Sequence, residues 1–587
     1  MAIDGRYGSD VIVDMLKLYG IEYAALNPGA SYRGLHDSLV NYGGNQMPQI
    51  IQCTHEKIAV QIAHGYGRAK GKPMVAIVHD LVGLLHSVMG IYYAYLDEAP
   101  VIVLGASGPF DTTRRRPAID WTHTTQNNGQ QIREYTKWDD QPYNAASVPE
   151  SFARAYQIAT TPPYGPVYLC YDSGLQEDPL DQDIVIPNPE RLRPPAPAGM
   201  SPAAAEQAVQ MLLEAEQPIV MADLLGQDPK AVGKLVEFAE LLGVGVIDSG
   251  RRFNFPATHH LDITGSDIVD RTDLIMGLAV KDYERQVTRL NRTTRAIEWR
   301  TQANCKWIDI GYRSTRVSAW AQDFGRLMEF DLQSVADPAT ALEQMIDAAR
   351  AVGVDGKYAK KVQARTETLR TLHDDLRRKS QEGARVDWDA KPMTAARLSS
   401  EVWSAIKGHD WVQTGTGLEG WNRRLWDWST PDRFSGSGQG TGTGIGISLG
   451  VALAHKGTNK LVVNLQPDGD LLFDAASLWI AAYYHIPMLI VMYNNRAYYN
   501  DWEHQILIAR QRGRNEENAY IGMELDGPAP DFAKLAQSMG CYGEGPIEDP
   551  NQLGPALERA IRAIHDTGQP ALVDAIVRTR APSPTGQ

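Results

Sequence analysis

The sequence predicts an α/β protein: three consecutive domains with parallel sheets flanked by helices. Two observations predict it. Short apolar runs rich in β-branched residues alternate with longer amphipathic segments, the pattern of buried parallel strands and their crossover helices. A proline-rich stretch without apolar period, "IPNPERLRPPAPAGMSPA" at residues 186–203, interrupts that alternation and reads as a connector. A chain of 587 residues is also too long for one ordinary core.

The first domain is expected over residues 1–185, where "MVAIVHD" and "APVIVLGA" read as buried strands. "HEKIAVQIAHGYGRAKG" reads as a helix stopped by its last glycine. The second, over 203–350, carries "QPIVMAD", "LVEFAELLGVGVID", "DLIMGLAV" and "CKWIDIG". A charged stretch, "KYAKKVQARTETLRTLHDDLRRKSQEGARVDW", follows as a connecting helix with a solvated face. The third, over 390–580, contains "LVVNLQPDGD", "IPMLIVMYNN" and "PALVDAIV".

Composition narrows the function. With 43% hydrophobic and 22% charged residues the chain is globular, and a net charge of -14 disfavours a nonspecific nucleic-acid binder. The one basic run, "TTRRRP", offers Arg114, Arg115 and Arg116 either to solvent or to a phosphate-bearing substrate. Cys53, Cys170, Cys305 and Cys541 are far apart, without zinc or disulfide spacing, which suits a reducing compartment. The first residues lack a signal-peptide pattern, and no apolar run reaches the roughly 18 to 20 residues that span a bilayer. A cytoplasmic protein with no membrane partner is expected.

The segment "QPDGDLLFDAASLWIAAYYHIPMLIVMYNN" carries the chemistry. Asp468 follows the strand-like "KLVVNL" and Asn495 follows "MLIVMY", so each belongs at the carboxyl end of a strand, where open parallel sheets bind ligands. A carboxylate and an amide oxygen side by side suit magnesium or calcium, and magnesium commonly completes its shell with phosphate oxygens. A helix starting near Asp474 would add amides that favour anions. An aspartate and two asparagines at this distance also occur in ordinary loops.

Here the chain resembles the thiamine diphosphate-dependent enzymes of the acetolactate synthase, benzoylformate decarboxylase and oxalyl-CoA decarboxylase type. Their motif begins Gly-Asp-Gly and ends Asn-Asn, and its metal ligands are the aspartate, the second asparagine and a backbone carbonyl two residues on. The resemblance assigns these roles to Asp468, Asn495 (495 − 468 = 27 positions later) and Ala497, with Gly469 and Asp470 beside the cofactor. Pro467 departs from the first glycine and removes an amide donor. "HE" before a helix rich in small residues matches the family's glutamate on the cofactor's aminopyrimidine, which makes Glu56 the residue that drives proton loss from the thiazolium. An exposed helix-terminal glutamate favoured by the macrodipole is the plainer reading of Glu56.

The glycine-dense "FSGSGQGTGTGIGISLGVALAHKG" corresponds to the family segment along the aminopyrimidine, involving Gly440, Thr441, Gly442 and Thr443. Thr441, or Thr443 if a gap exists, falls where a bulky apolar wedge is usual. The resemblance covers nearly the whole chain. It implies an N-terminal pyrimidine-binding, a central Rossmann-like and a C-terminal diphosphate-binding domain, with the cofactor between two subunits of a homodimer or homotetramer.

On the substrate side, His79 and His123 are candidate acid-base groups and equally candidate structural histidines. Asn27 and Ser31 are further pocket candidates. Tyr498, Tyr499, Trp502, Glu503 and His504 either wall the substrate or form a packed cap, and their segment does not match the Gln-His-Leu-Gly-Met-Val of acetolactate synthases. Some relatives bind FAD, ADP or CoA centrally, but "GRRFNFPATHHLD" carries no dinucleotide fingerprint; Arg251 and Arg252 either meet a phosphate or are solvated. The expected function is thiamine diphosphate- and magnesium-dependent cleavage or formation of a C–C bond beside a carbonyl of a small 2-oxo acid or 2-hydroxyacyl substrate. A decarboxylase or carboligase comes first. A 2-hydroxyacyl-CoA lyase and a catalytically silent cofactor-binding homologue are the alternatives.

Overall fold

The structure is a computed structural model that describes residues 5–312, 327–437 and 440–579. Three parallel sheets follow one another along the chain. The first orders its strands Gln49–Gln52, Tyr23–Leu26, Met74–Ile77, Val101–Ser107, Val167–Asp172, Trp138–Asp140. The central one runs Leu332–Val335, Lys306–Gly311, Leu274–Leu278, Pro218–Ala222, Gly245–Asp248. The third runs Phe434–Ser437, Trp411–Gly415, Leu461–Pro467, Leu489–Asn494, Ala571–Ile576, Tyr542–Ile547. The inner strands, such as Met74–Ile77, Val101–Ser107, Pro218–Ala222, Leu274–Leu278 and Ala571–Ile576, are the apolar runs of the sequence and are buried on both faces, whereas edge strands such as Trp138–Asp140 and Leu332–Val335 are only partly buried. Among the described residues, no helix is long and apolar enough to cross a membrane.

The domains share cores. Helix Glu56–Lys70 of the first domain, ended by Gly71 in the left-handed conformation (φ 67°), packs on helix Gly444–Ala454 of the third, and their apolar faces form one cluster. Glycines let the two backbones meet: a Cβ on Gly65 would lie 1.9 Å from the Ile447 carbonyl oxygen, and one on Gly450 2.1 Å from that of Ile62. The first and central domains meet through buried charge. Arg252 donates to Asp97 at 2.8 Å, and His64 and Arg68 approach the same carboxylate at 2.6 and 3.4 Å. Arg252 is thus neither solvated nor free for a phosphate.

The connecting helix, Ala359–Gly383, is solvated on one side only. Arg365, Leu369 and His373 are buried, and Arg365 donates to the carbonyls of Leu213 and Leu242. Three inward positions in a charged 25-residue helix leave too weak an apolar period to read.

Candidate active site

Strands Leu461–Pro467 and Leu489–Asn494 are parallel neighbours with Pro467 opposite Tyr493, so Asp468 and Asn495 leave the same sheet edge side by side. Both converge on one donor: the Ala497 amide lies 3.3 Å from Asp468 Oδ2 and 3.1 Å from Asn495 Oδ1. Asn494 donates to Asp574 Oδ1 at 2.9 Å, while Asp574 Oδ2 is buried without a hydrogen-bond partner. Burial pushes the Asp468 carboxyl up to about 6, against amide hydrogen bonds from Gly469, Ala497 and Arg496. Asp574 is likewise pushed to about 6, first by burial and then by the charge of Asp468. Two buried carboxylates beside an amide oxygen form a hard-oxygen donor set short of positive charge.

The helix expected near Asp474 begins instead at Asp468 and ends at Phe473; a second runs Ser477–Tyr483. Pro467 supplies the extended residue before the first turn (φ -67°, ψ 145°), and Asp474 leaves helical geometry (φ -136°, ψ 37°) between them.

Asp470 turns towards the glycine-rich loop rather than into open space. It accepts from the Gly442 amide at 2.6 Å, from the Gly444 amide at 3.1 Å and from Gln466 Nε2 at 3.0 Å. Gly440, Thr441 and Gly442 all have positive φ (79°, 52° and 76°). Thr441 is exposed and meets the Tyr93 hydroxyl at 2.9 Å, whereas Thr443 is buried and donates to the Gly440 carbonyl. Of the two threonines, Thr441 is the one presented. Gly469 packs beneath Tyr498, whose ring a Cβ there would meet at 2.4 Å.

In the first domain, Asn27 follows strand Tyr23–Leu26 and His79 comes just after Met74–Ile77. Glu56 opens its helix, buried, with His86 Nδ1 3.2 Å from Oε2. Burial pushes the Glu56 carboxyl up, but hydrogen bonds from Asn27, its own amide and His86 outweigh this and hold it below its ordinary value. His79 Nδ1 lies 2.7 Å from Ser31 Oγ, and its ring is 5.3 Å from that of His123. Burial, then the neighbouring His123, pull the His79 imidazole down. His123 Nδ1 lies 2.8 Å from the Ile119 carbonyl, so it carries the proton there. Buried Asp80 frames the group: it accepts from Thr124, Asn128 and the Gly108 amide, while its own amide donates to Ser31.

The two halves are joined within one chain. Lys57 Nζ pairs with Asp474 Oδ1 at 3.0 Å, and Gln61 Nε2 donates to both Asp474 and the Gly442 carbonyl at 3.0 Å.

The remaining candidates have the following surroundings. Glu503 is buried and paired at 2.7 Å with Arg292 of the central domain, which also reaches His504 at 3.0 Å. Tyr499 and Trp502 line an open cavity of about 800 Å³ with Glu419, Trp421 and Arg578. Arg114 pairs with Asp178, Arg115 donates to the Pro109 carbonyl and Arg116 pairs with Asp120. Arg251 faces Asp223.

In the central domain, the crevice between the ends of Pro218–Ala222 and Leu274–Leu278, where strand order reverses, measures about 60 Å³ among the described residues. Asp228 and Asp337 line it and cap the helices that start there, accepting from Lys230 and Thr340 amides at 3.0 and 2.9 Å.

Sequence reasoning missed His55, Lys57, Gln61, Asp80, His86, Asp474 and Asp574. Gln61 carried a signal as a polar residue among Ile58, Ile62 and Gly65, and His55 lay in the "HE" pair; Lys57, Asp80 and His86 carried none.

Two family models match the chain: the N-terminal TPP binding domain of thiamine pyrophosphate enzymes over residues 6–133, and their C-terminal TPP binding domain over 415–575. The acetolactate synthase large subunit of Haemophilus influenzae is 24% identical over 94% of this chain and 92% of its own length. The acetolactate synthase of Bacillus subtilis is 22% identical, covering 95% and 91%. The crystal structure of benzoylformate decarboxylase from Polynucleobacter necessarius superposes with a TM-score of 0.77 at 16% identity, over 98% of this chain and all of that one.

Proposed function

Because the chain belongs to the thiamine pyrophosphate enzymes, with both of their TPP binding domains, we propose that it is a magnesium-dependent 2-oxo acid decarboxylase or carboligase. The observation that carries this reading is the convergence of Asp468, Asn495 and the Ala497 backbone beside a second unmet carboxylate, Asp574. An all-oxygen set of this kind fits a hard divalent cation, with Asp468, Asn495 and the Ala497 carbonyl as its ligands. The Gly440–Thr443 loop, held by Asp470, would lie along the aminopyrimidine, and Glu56 would hold or release a proton at its ring nitrogen.

When bound, thiamine diphosphate supplies the carbanionic carbon that attacks a substrate carbonyl. The chain's own residues would orient and protonate. His79, steadied by Ser31 and neutral by burial, and His123, whose Nδ1 proton is tied to Ile119, leave ring nitrogens to handle the carbonyl-derived oxygen. Asn27 orients Glu56. Exposed Leu85, Trp121 and Phe473 lie near these residues in sequence and support a site covered by a second copy in a homodimer or homotetramer. Four buried free cysteines support a cytoplasmic setting.

Decarboxylase or carboligase is favoured over 2-hydroxyacyl-CoA lyase by the central crevice. Ligand pockets run to roughly 300–1,000 Å³. Among the described residues this one is far smaller, and carboxylates cap the helix ends that would face a phosphate.

Acid-quench mass spectrometry of the cofactor tests the reading. Holoenzyme incubated with 2-oxo acids is expected to yield a covalent adduct, before or after loss of carbon dioxide. An adduct formed only with 2-hydroxyacyl-CoA thioesters would replace this reading with the lyase, and none with either, cofactor being bound, would point to the silent homologue.

A further inference from the structure

Glu56 is nearly closed off from water, its side chain 5% exposed, yet a residue that gives and takes a proton must be recharged. Of the groups touching it, Asn27 donates a hydrogen bond but has no proton to pass on. His55, stacked 4.8 Å from His86, spends its Nδ1 lone pair on the Lys57 amide, 3.1 Å away, as the cap of the helix. His86 differs from both: its Nδ1 lies 3.2 Å from Glu56 Oε2 while its side chain is 59% exposed. A carboxylate can only accept, so that nitrogen carries the proton and the other ring nitrogen is the acceptor.

We propose that His86 is a positioning residue for Glu56, holding the carboxylate in place and carrying protons between it and solvent; this rests on reading Glu56 as the residue that acts on the cofactor's aminopyrimidine. The transfer balances. The Nδ1 proton moves to Glu56 Oε2 and a solvent proton is taken up at Nε2, leaving a neutral carboxyl group and a neutral ring in its other tautomer; before a spent carboxyl is recharged, the exposed ring turns to solvent, gains a proton at Nδ1 and loses the one at Nε2, which restores the starting state. Imidazole suits this task because its ordinary titration lies near neutral pH. Further charged or titratable groups face the pair: His55 and Lys57 beside Glu56, Asp474 across the domain junction, and His79, Tyr32 and Cys53 around the carboxylate. None of these both touches Glu56 and reaches water as His86 does.

Two measurements test it. In the cofactor-free protein, ring-nitrogen NMR shifts should place the His86 proton on Nδ1, and Glu56→Ala should remove that preference; a tautomer unchanged in the variant would overturn the pairing. In the holoenzyme, deuterium exchange at the cofactor's C2–H should slow about tenfold or more in His86→Phe, with the lost rate restored by imidazole added to the buffer. His86→Gln, which keeps a donor but cannot shuttle, should bind thiamine diphosphate as wild type does yet exchange slowly with a flattened pH profile. If both His86 variants exchange at the wild-type rate and profile while Glu56→Gln is slowed about 100-fold or more, the inference falls and the role of Glu56 stands. If Glu56→Gln exchanges like wild type, the parent reading falls instead.

Discussion

The C-terminal and central sheets end in the same kinds of residue and use them in opposite ways. Both are parallel sheets with aspartates at the carboxyl ends of their strands. In the central sheet, Asp223 accepts from Ser249 Oγ at 2.6 Å, Asp248 from Asn254 at 2.8 Å and Asp309 from Tyr283 at 2.7 Å, while Asp337 caps a helix. In the C-terminal sheet, Asp468 has only backbone amides and Asp574 keeps one buried oxygen unpartnered. Topology gives both sheets a place for a ligand. Unmet charge distinguishes the sheet proposed to receive a cation from the one whose aspartates are all met by side chains or a helix end.

The strongest way to probe that contrast is to break the junction of the central domain with the first. Asp97→Ala would leave Arg252 and Arg68 buried without their carboxylate, a loss of about 3–5 kcal/mol read as a fall in thermal midpoint. Although burial opposes it, Arg252 and Arg68 hold Asp97 well below the ordinary carboxylate range. Its contribution is therefore fully present above the unfolded value, about 4, and is lost only as pH falls through the lowered native one. The gap between wild type and variant should persist from neutral pH down to about 4, where His64 on the same carboxylate can only widen it, and close in stronger acid. A variant as stable as wild type would remove the structural role assigned to this junction.

The next effect belongs to the other sheet. Asp468→Asn keeps the shape but removes the charge, and should weaken magnesium-dependent retention of thiamine diphosphate by at least the 10–100-fold typical of lost outer-shell partners, with the thermal midpoint of the cofactor-free protein little changed. Retention equal to wild type after desalting would erase the distinction between the sheets. The smallest effect is expected at the central crevice, where ADP, FAD or CoA should leave the midpoint unmoved; a concentration-dependent rise with any of them would show that the crevice opens to a nucleotide.

Much of this was legible in the sequence. Runs such as Val101–Ser107 and Leu489–Asn494 are apolar enough that their burial in a parallel sheet follows from composition, and Gly71 ends its helix as a glycine should. Asp468 and Asn495 were legible as neighbours because each directly follows such a run and adjacent strands bring their ends together. The pairings of Glu503 with Arg292 and of Asp97 with Arg252 were not: their partners lie 211 and 155 residues apart, and a lone charge carries no period that names its mate. His86 was hidden similarly, on an apolar helix 30 residues beyond Glu56. The hold of Asp470 on the Gly442 and Gly444 amides was not legible, because motif position says nothing about which way a carboxylate turns.

The glycine-to-backbone seam between helices Glu56–Lys70 and Gly444–Ala454 also sets an order of events during synthesis. Gln61 and Gly442 are 381 residues apart, so at roughly 5–20 residues per second the first helix leaves the ribosome about 20–75 s before its partner exists. Through that interval Gly65 and Ile62 lack the Ile447 and Gly450 backbone they pack against. The seam between the N-terminal and C-terminal domains is therefore completed only after translation of the C-terminal domain has begun.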